Sequence, residues 1–238
     1  MNKFILSLAT VATVILTGFE PVKAAPVYRE DDFQQNPLNY PDEYYSNHSM
    51  GCMLLQECKE NIVEITSVET LEKYYGKEFN LGSEFDQLLL IINRIGSKVY
   101  IAPEQYFPIG HRGVYHTVSN HFYLNDRYVD KEHILMSVMR HEGWHMAQDC
   151  MAGDINNNFI AVIFNEDKIP QLWKDMAKET YPKSALPWEQ EAMWTGRVKD
   201  MTLEALRACN RGRMWEDSNY PPTPLTRQFL IDKGFIKE

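Results

Sequence analysis

The sequence predicts a single α+β domain, and three observations carry that prediction. Apolar residues recur at helical spacing in several segments, and two short β-rich runs lie between them. One long helical pattern, about 131–149, follows the second run. The chain has 238 residues, of which 44% are hydrophobic and 24% charged. With that composition it can bury a sizeable core, and collagen-like or mostly disordered classes are excluded. No Gly/Ser linker and no internal repeat divides it.

Taken in order, the elements read as follows. Met53–Lys59 and Val68–Tyr75 read as short helices, the second entered through a Thr66-x-x-Glu69 capping box. Glu84–Ile95 carries Phe85, Leu88, Leu89, Ile91, Ile92 and Ile95 at helical spacing and stops at Gly96. The unbroken run Leu88–Ile92 is also compatible with a strand. Lys98–Ala102 and Tyr115–Leu124 read as strands, separated by a loop holding Pro103, Pro108, Gly110 and Gly113. Asp130 is placed to cap a helix over 131–149. Pro170–Thr180 is a further helix, and Pro187, at the favoured first position, opens one running to about Ala208. Leu225–Lys233 closes the chain as a short helix. Trp144, Met146, Trp188 and Trp194 are expected in the core between the two longest helices.

Residues 1–24 read as a signal peptide. Lys3 precedes the mostly apolar run Phe4–Thr17, too short for a membrane span, and Val22-Lys23-Ala24 suits a signal peptidase. In Leu16-Thr17-Gly18-Phe19, phenylalanine stands where a lipoprotein signal needs cysteine. No membrane anchor is therefore expected once the signal is cleaved. Residues 25–50, rich in Tyr, Asn, Pro and Asp, read as an extended arm, leaving 51–238 as the domain proper. Cysteines number four, Cys52, Cys58, Cys150 and Cys209. An even count behind a leader fits two disulfides in a secreted or periplasmic protein, with three connectivities open.

Charge narrows the partners. Against 24 Lys and Arg stand 33 Asp and Glu, a formal net charge of −9. With no basic block, a nucleic-acid partner is not expected.

The chemistry concentrates in His141-Glu142-Gly143-Trp144-His145. Two histidines four apart lie about 40° from each other around a helix, so both imidazoles can meet one ion. Neutral imidazole suits zinc, and a catalytic zinc takes three protein ligands and leaves one position to water. Glu142 is then the general base, since zinc lowers the pKa of water toward about 7.

With this motif in mid-helix, the chain resembles the zincin metallopeptidases. The resemblance covers the strand at 115–124 through the helix beginning at 187. It implies a small zincin-like sheet packed on the H-E-x-x-H helix and on a second, glutamate-bearing helix. Gln148 and Met151 replace the glycine and third histidine of the metzincin continuation, which points to the gluzincin branch, with a downstream glutamate as third ligand. Glu189 is preferred, Glu191 is the alternative, and Glu166, followed by Pro170, stands behind both. Glu189 shares its face with Ala192, Met193 and Gly196, and its E-x-x-A pattern looks like that of several gluzincins, including the CAAX-prenyl-protease-like group. Thr195, on the face of Glu191, is a candidate hydrogen-bond partner for a ligand histidine. Where such families carry an aspartate four residues on, Met193 or Thr195 stands here.

The resemblance further implies one Zn2+ per chain and a peptide or protein substrate held by strand addition. Ser119-Asn120-His121-Phe122-Tyr123 resembles the substrate-binding stretch of thermolysin-like enzymes, which nominates Asn120, His121 and Tyr123. His111, His116, His121 and Tyr123 are the candidate donors to a developing oxyanion. The competing expectation is a non-catalytic zinc-binding or disulfide-stapled interaction domain on the same scaffold.

Overall fold

A computed structural model describes residues 60–107, 110–156 and 159–238. The signal peptide expected over 1–24, the arm expected over 25–50, the helix expected over 53–59, Cys52 and Cys58 lie outside the described residues. The rest is α+β: seven α-helices and a four-stranded sheet among the described residues.

Helix α1 spans Val68–Tyr75 and α2 spans Ser83–Ile95. The cap of α1 is Ser67 rather than Thr66. Ser67 is extended and its hydroxyl accepts from the Thr70 amide, while Thr66 Oγ1 bonds only the Thr70 hydroxyl. In α2 the run Leu88–Ile92 is helical, burying Leu88, Leu89, Ile91 and Ile92 and turning Leu90 outward.

Strands β1 (Val63–Glu64), β2 (Val99–Ala102), β3 (Gly113–His116) and β4 (His121–Asn125) form one sheet in the order β1-β2-β4-β3. β4 runs parallel to β2 and antiparallel to β3, with Tyr115 opposite Phe122. The single strand expected over Tyr115–Leu124 is thus the two arms of a hairpin. Its turn holds Asn120 at φ 56°, a left-handed conformation that asparagine tolerates, and the His116 ring bonds Ser119 Oγ at 2.9 Å. Tyr115, Phe122 and Leu124 join the main core, whereas Tyr123 packs with Ala102, Tyr106 and Phe107 in a second cluster. Strand alternation therefore sends neighbouring β4 residues to opposite faces.

Helix α3, Glu132–Met151, runs through the middle of the molecule and is buried continuously from Glu142 to Met151. Its cap position is Lys131, one residue after the expected Asp130, and no side chain caps it. The Asp130 carbonyl is taken by Lys77 Nζ, and the first-turn Glu132 bonds the Asn80 amide at 2.6 Å.

Helix α4 is Gln171–Thr180, and the long helix expected from Pro187 to Ala208 is two: α5, Leu186–Thr195, and α6, Met201–Asn210. The break has a tertiary cause. Glu84, buried and bonded to Arg140 at 2.5 and 2.9 Å, also accepts the Asp200 amide at 2.8 Å, and Asp200 adopts φ 66°. Thr202 Oγ1 then donates to the Arg140 carbonyl, seating α6 on α3. A disulfide, Cys150–Cys209, ties the same two helices together. Helix α7, Pro224–Asp232, is capped by Thr223. Trp144 and Met146 are fully buried as expected, while Trp188 and Trp194 are only half-buried.

Candidate metal site and its surroundings

Because α3 is regular through 141–145, His141 and His145 project from one face, and their Nε2 atoms lie 3.2 Å apart. Helix α5 crosses that face. Gly196 makes the crossing close: a Cβ there would stand 3.1 Å from the Ser137 carbonyl and 3.3 Å from His141 Cβ. Glu189, seven residues earlier and so on the same side of α5, places Oε2 at 3.3 Å from His141 Nε2 and 3.5 Å from His145 Nε2. This oxygen is buried and makes no well-angled hydrogen bond. Three ligand atoms thus face one another with separations of 3.2, 3.3 and 3.5 Å. For ligands about 2.05 Å from a tetrahedral ion, the expected separation is about 3.3 Å. His141, His145 and Glu189 could therefore hold a metal ion.

The electrostatics agree. Burial works to raise the Glu189 pKa, but the charges and close ring nitrogens of His145 and His141 outweigh it and hold the carboxyl well below the usual range. Burial likewise opposes charge on His145, yet Glu189, then Glu142 and Gln148, raise it to about 9. The pocket stabilises positive charge at Nε2, where a proton and a metal ion compete for one lone pair.

Glu191 plays a different part from Glu189. Two residues on, about 200° around the helix, it is fully buried. Its Oε2 accepts from Trp144 Nε1 at 3.0 Å and Gln148 Nε2 at 2.8 Å, and its Oε1 from the amides of Ile163 and Phe164 at 2.9 and 2.7 Å. The end of the apolar run 159–164, which lies in neither helix nor strand, is thereby pinned by a side chain. Gln148 passes the order on. With Nε2 given to Glu191 and to the Trp188 carbonyl, its Oε1 is left to accept from His145 Nδ1 at 2.8 Å. That bond orients the ring and leaves Nε2 facing Glu189. The hydrogen bond to a ligand histidine expected of Thr195 is made to His145 by Gln148, itself held by Glu191. Thr195 instead donates to the Ala192 carbonyl. Glu166 is exposed in a short 3-10 turn, apart from the cluster.

Glu142 is buried beside the two histidines, and its Oε2 accepts the Tyr115 amide at 2.8 Å. Gly113 permits this approach, since a Cβ there would meet Val138 Cγ1 at 2.5 Å and Glu142 Cγ at 3.1 Å. The strand nearest the motif is therefore β3, at the sheet edge. Asn120, His121 and Tyr123 belong to the following turn and to β4, which is paired on both sides. Tyr123 stacks on Tyr100 at 5.5 Å in the second cluster, and neither it nor His121 joins the His141–Glu189 group. Among the described residues β4 therefore has no free edge.

Tyr181, just past α4, is the neighbour that sequence reasoning missed. Its ring stacks on His141, 6.4 Å between centroids and 18° from parallel. Burial, then the charges of Glu189 and Glu142, push its hydroxyl pKa well above the ordinary value, with Arg112 opposing. The hydroxyl keeps its proton and can donate it. No spacing rule links position 181 to the motif, so only tertiary structure reveals it. A groove of about 310 Å3 between Val162, Phe164, Pro187, Gln190, Thr223 and Leu225 shares no residue with this cluster.

Behind Tyr115, its hydroxyl donates to Asp149 Oδ2 at 2.9 Å, while Oδ1 is buried without a partner. Burial raises the Asp149 pKa to about 8, Asp154 adding to the rise and the Tyr115 bond opposing it. The folded state holds this proton more tightly than the unfolded chain does, so stability falls as pH rises from about 4 to about 8. Asp149→Asn is expected to unfold at higher urea than the parent at pH 9, by on the order of 2 kcal/mol, with little difference at pH 5. His145 contributes the same sign, but it is common to both proteins, so the difference between them isolates Asp149. Equal differences at the two pH values would contradict the assignment.

No family model matches the chain, and no curated protein and no solved structure shows significant similarity to it.

Proposed function

We propose that the chain is a zinc-dependent peptidase of the gluzincin type that works outside the cytoplasm. The observation that carries this reading is the triangle of His141 Nε2, His145 Nε2 and Glu189 Oε2, with its tetrahedral spacing and with Glu142 beside it on the same helical turn. Two imidazoles and one carboxylate, braced by Gln148 and Glu191, form the donor set of a catalytic zinc.

Bound zinc would supply a Lewis acid that acidifies water and polarises a scissile carbonyl. The protein's own residues do the rest. Glu142 takes a proton from the attacking water and returns it to the leaving amine. The Tyr115 amide holds the Glu142 carboxylate in place. Tyr181, protonated and stacked on His141, donates to the developing oxyanion. An extended peptide lies along the outer edge of β3, the strand that reaches Glu142. Export is supported by the signal-like first 24 residues and by the Cys150–Cys209 disulfide. Among the described residues no helix is long and apolar enough to cross a membrane.

The test is elemental analysis of the purified protein after dialysis without chelator. About one zinc per chain is expected, with affinity falling at least about 100-fold in His141→Ala, His145→Ala and Glu189→Ala. No bound metal and no uptake of added zinc would sink the reading. Full zinc in Glu189→Ala would show that the third ligand lies elsewhere.

A further inference from the structure

Tyr115 touches helix α3 at both of its ends. Its amide donates to Glu142 Oε2 at 2.8 Å, and its hydroxyl donates to Asp149 Oδ2 at 2.9 Å. Glu142 and Asp149 lie two turns apart on one face of α3, about 10.5 Å along the axis. A single strand residue therefore clamps β3 to the motif helix at two heights.

The register of the sheet explains why that amide is available. Phe122, opposite Tyr115 across the hairpin, gives its own amide to the Lys98 carbonyl at 2.8 Å. Tyr115 and Phe122 are thus an antiparallel pair that exchanges no backbone bonds, and the Tyr115 amide points away from β4. Glu142 supplies its acceptor. Side chains come closest in such a pair, and the two rings lie 5.1 Å apart between centroids as Tyr115 enters the main core. At the far end Asp149 is fully buried, and its Oδ1 has no partner. Asn120 Oδ1 is 3.5 Å from the Tyr115 hydroxyl, too long to compete with Asp149. A carboxyl with one oxygen unpaired in the core costs stability. Its one side-chain bond goes to fixing Tyr115.

We propose that Tyr115 and Asp149 are positioning residues for Glu142. The bond between them sets β3 at the height where the Tyr115 amide holds one carboxylate oxygen, and Oε1 is left as the oxygen that takes the proton. This rests on the peptidase reading for the reaction that the positioning serves. Neither residue touches the reacting atoms.

The test compares Tyr115→Phe, Asp149→Leu and Asp149→Asn with the parent near neutral pH and at equal zinc content. Tyr115→Phe removes a single hydroxyl, so it should fold even if Asp149→Leu does not. Tyr115→Phe and Asp149→Leu are each expected to lower kcat about tenfold to a hundredfold with KM changed less than about twofold, the signature of a misplaced base. Asp149→Asn keeps a carbonyl oxygen for the tyrosine hydroxyl and is expected to recover most of that loss. Hydrogen exchange followed by NMR is the second readout. In Tyr115→Phe the amide at position 115 is expected to exchange at least about tenfold faster, while the Val114 amide, paired into β4, keeps its rate.

A kcat within about twofold of the parent in Tyr115→Phe would overturn the assignment. Equal acceleration of the two amides would do so as well, because it marks general loosening. Asp149→Asn as impaired as Tyr115→Phe would show that the hydrogen bond is not what matters. The two readings fail separately. If the parent cleaves no peptide, faster exchange at 115 alone keeps the clamp on Glu142 and removes the peptidase, whereas hydrolysis left intact by all three variants does the reverse.

Discussion

Replacing Glu142 by glutamine in the zinc-loaded protein is expected to lower kcat/KM for peptide hydrolysis by about 10²–10⁴-fold while zinc content stays the same. Glutamine keeps the length and shape of the side chain and can still accept the Tyr115 amide through its oxygen. It cannot take a proton from water at neutral pH. The side chain is not one of the three atoms in the His141–His145–Glu189 triangle, so metal affinity should not follow activity. The measurement is a peptide-library digest with parent and variant at matched zinc occupancy. Unchanged hydrolysis in the variant would remove Glu142 from the chemistry. A zinc-loaded parent that cleaves no peptide would favour a non-catalytic metal-binding domain.

The second large effect concerns stability. Glu191→Ala would leave Trp144 Nε1, Gln148 Nε2 and the amides of Ile163 and Phe164 buried without an acceptor. Stranded donors cost about 1–3 kcal/mol each before relaxation. We expect a loss of about 3–5 kcal/mol, a large part of the 5–15 kcal/mol typical of whole domains. Should that variant fail to fold, Glu191→Gln remains measurable. Its amide must turn an NH2 toward groups that only donate, at about 2–3 kcal/mol. Zinc affinity should fall with it by about tenfold or more, because Gln148 loses the partner that fixes its Oε1 on His145. Urea unfolding and zinc competition check both effects. Midpoints equal to the parent's in both variants would show that this buried carboxylate is dispensable.

These two residues also show what could be read from the chain alone. The histidine pair was legible because helical spacing by itself converges i and i+4. Glu189 and Glu191 could be ranked by helical face, since the small residues at 192 and 196 mark where α5 comes close to α3. The hairpin was not legible. Thr117–Asn120 continues a β-rich run without Gly or Pro, so the turn was hidden and β3 and β4 read as one strand. The break between α5 and α6 escaped for another reason. Glu84, more than a hundred residues upstream, captures the Asp200 amide. Tyr181 depends wholly on which elements meet in space, and local patterns carry no trace of that.

The Cys150–Cys209 bridge has a consequence for the order in which the site assembles. It closes a ring across 59 positions of sequence, and all of α5, with Glu189, lies inside that ring. One anchor of the ring is only five residues past His145. Tethering both ends keeps the carboxylate at high effective concentration around the imidazoles even when the intervening chain is loose. Loop closure over this span lowers the entropy of the unfolded chain by the equivalent of about 4 kcal/mol. Opening the bridge in a reducing milieu would return that freedom to the segment carrying Glu189. Retention of any ion held by His141, His145 and Glu189 would then answer to the redox state of the compartment as well as to those three side chains.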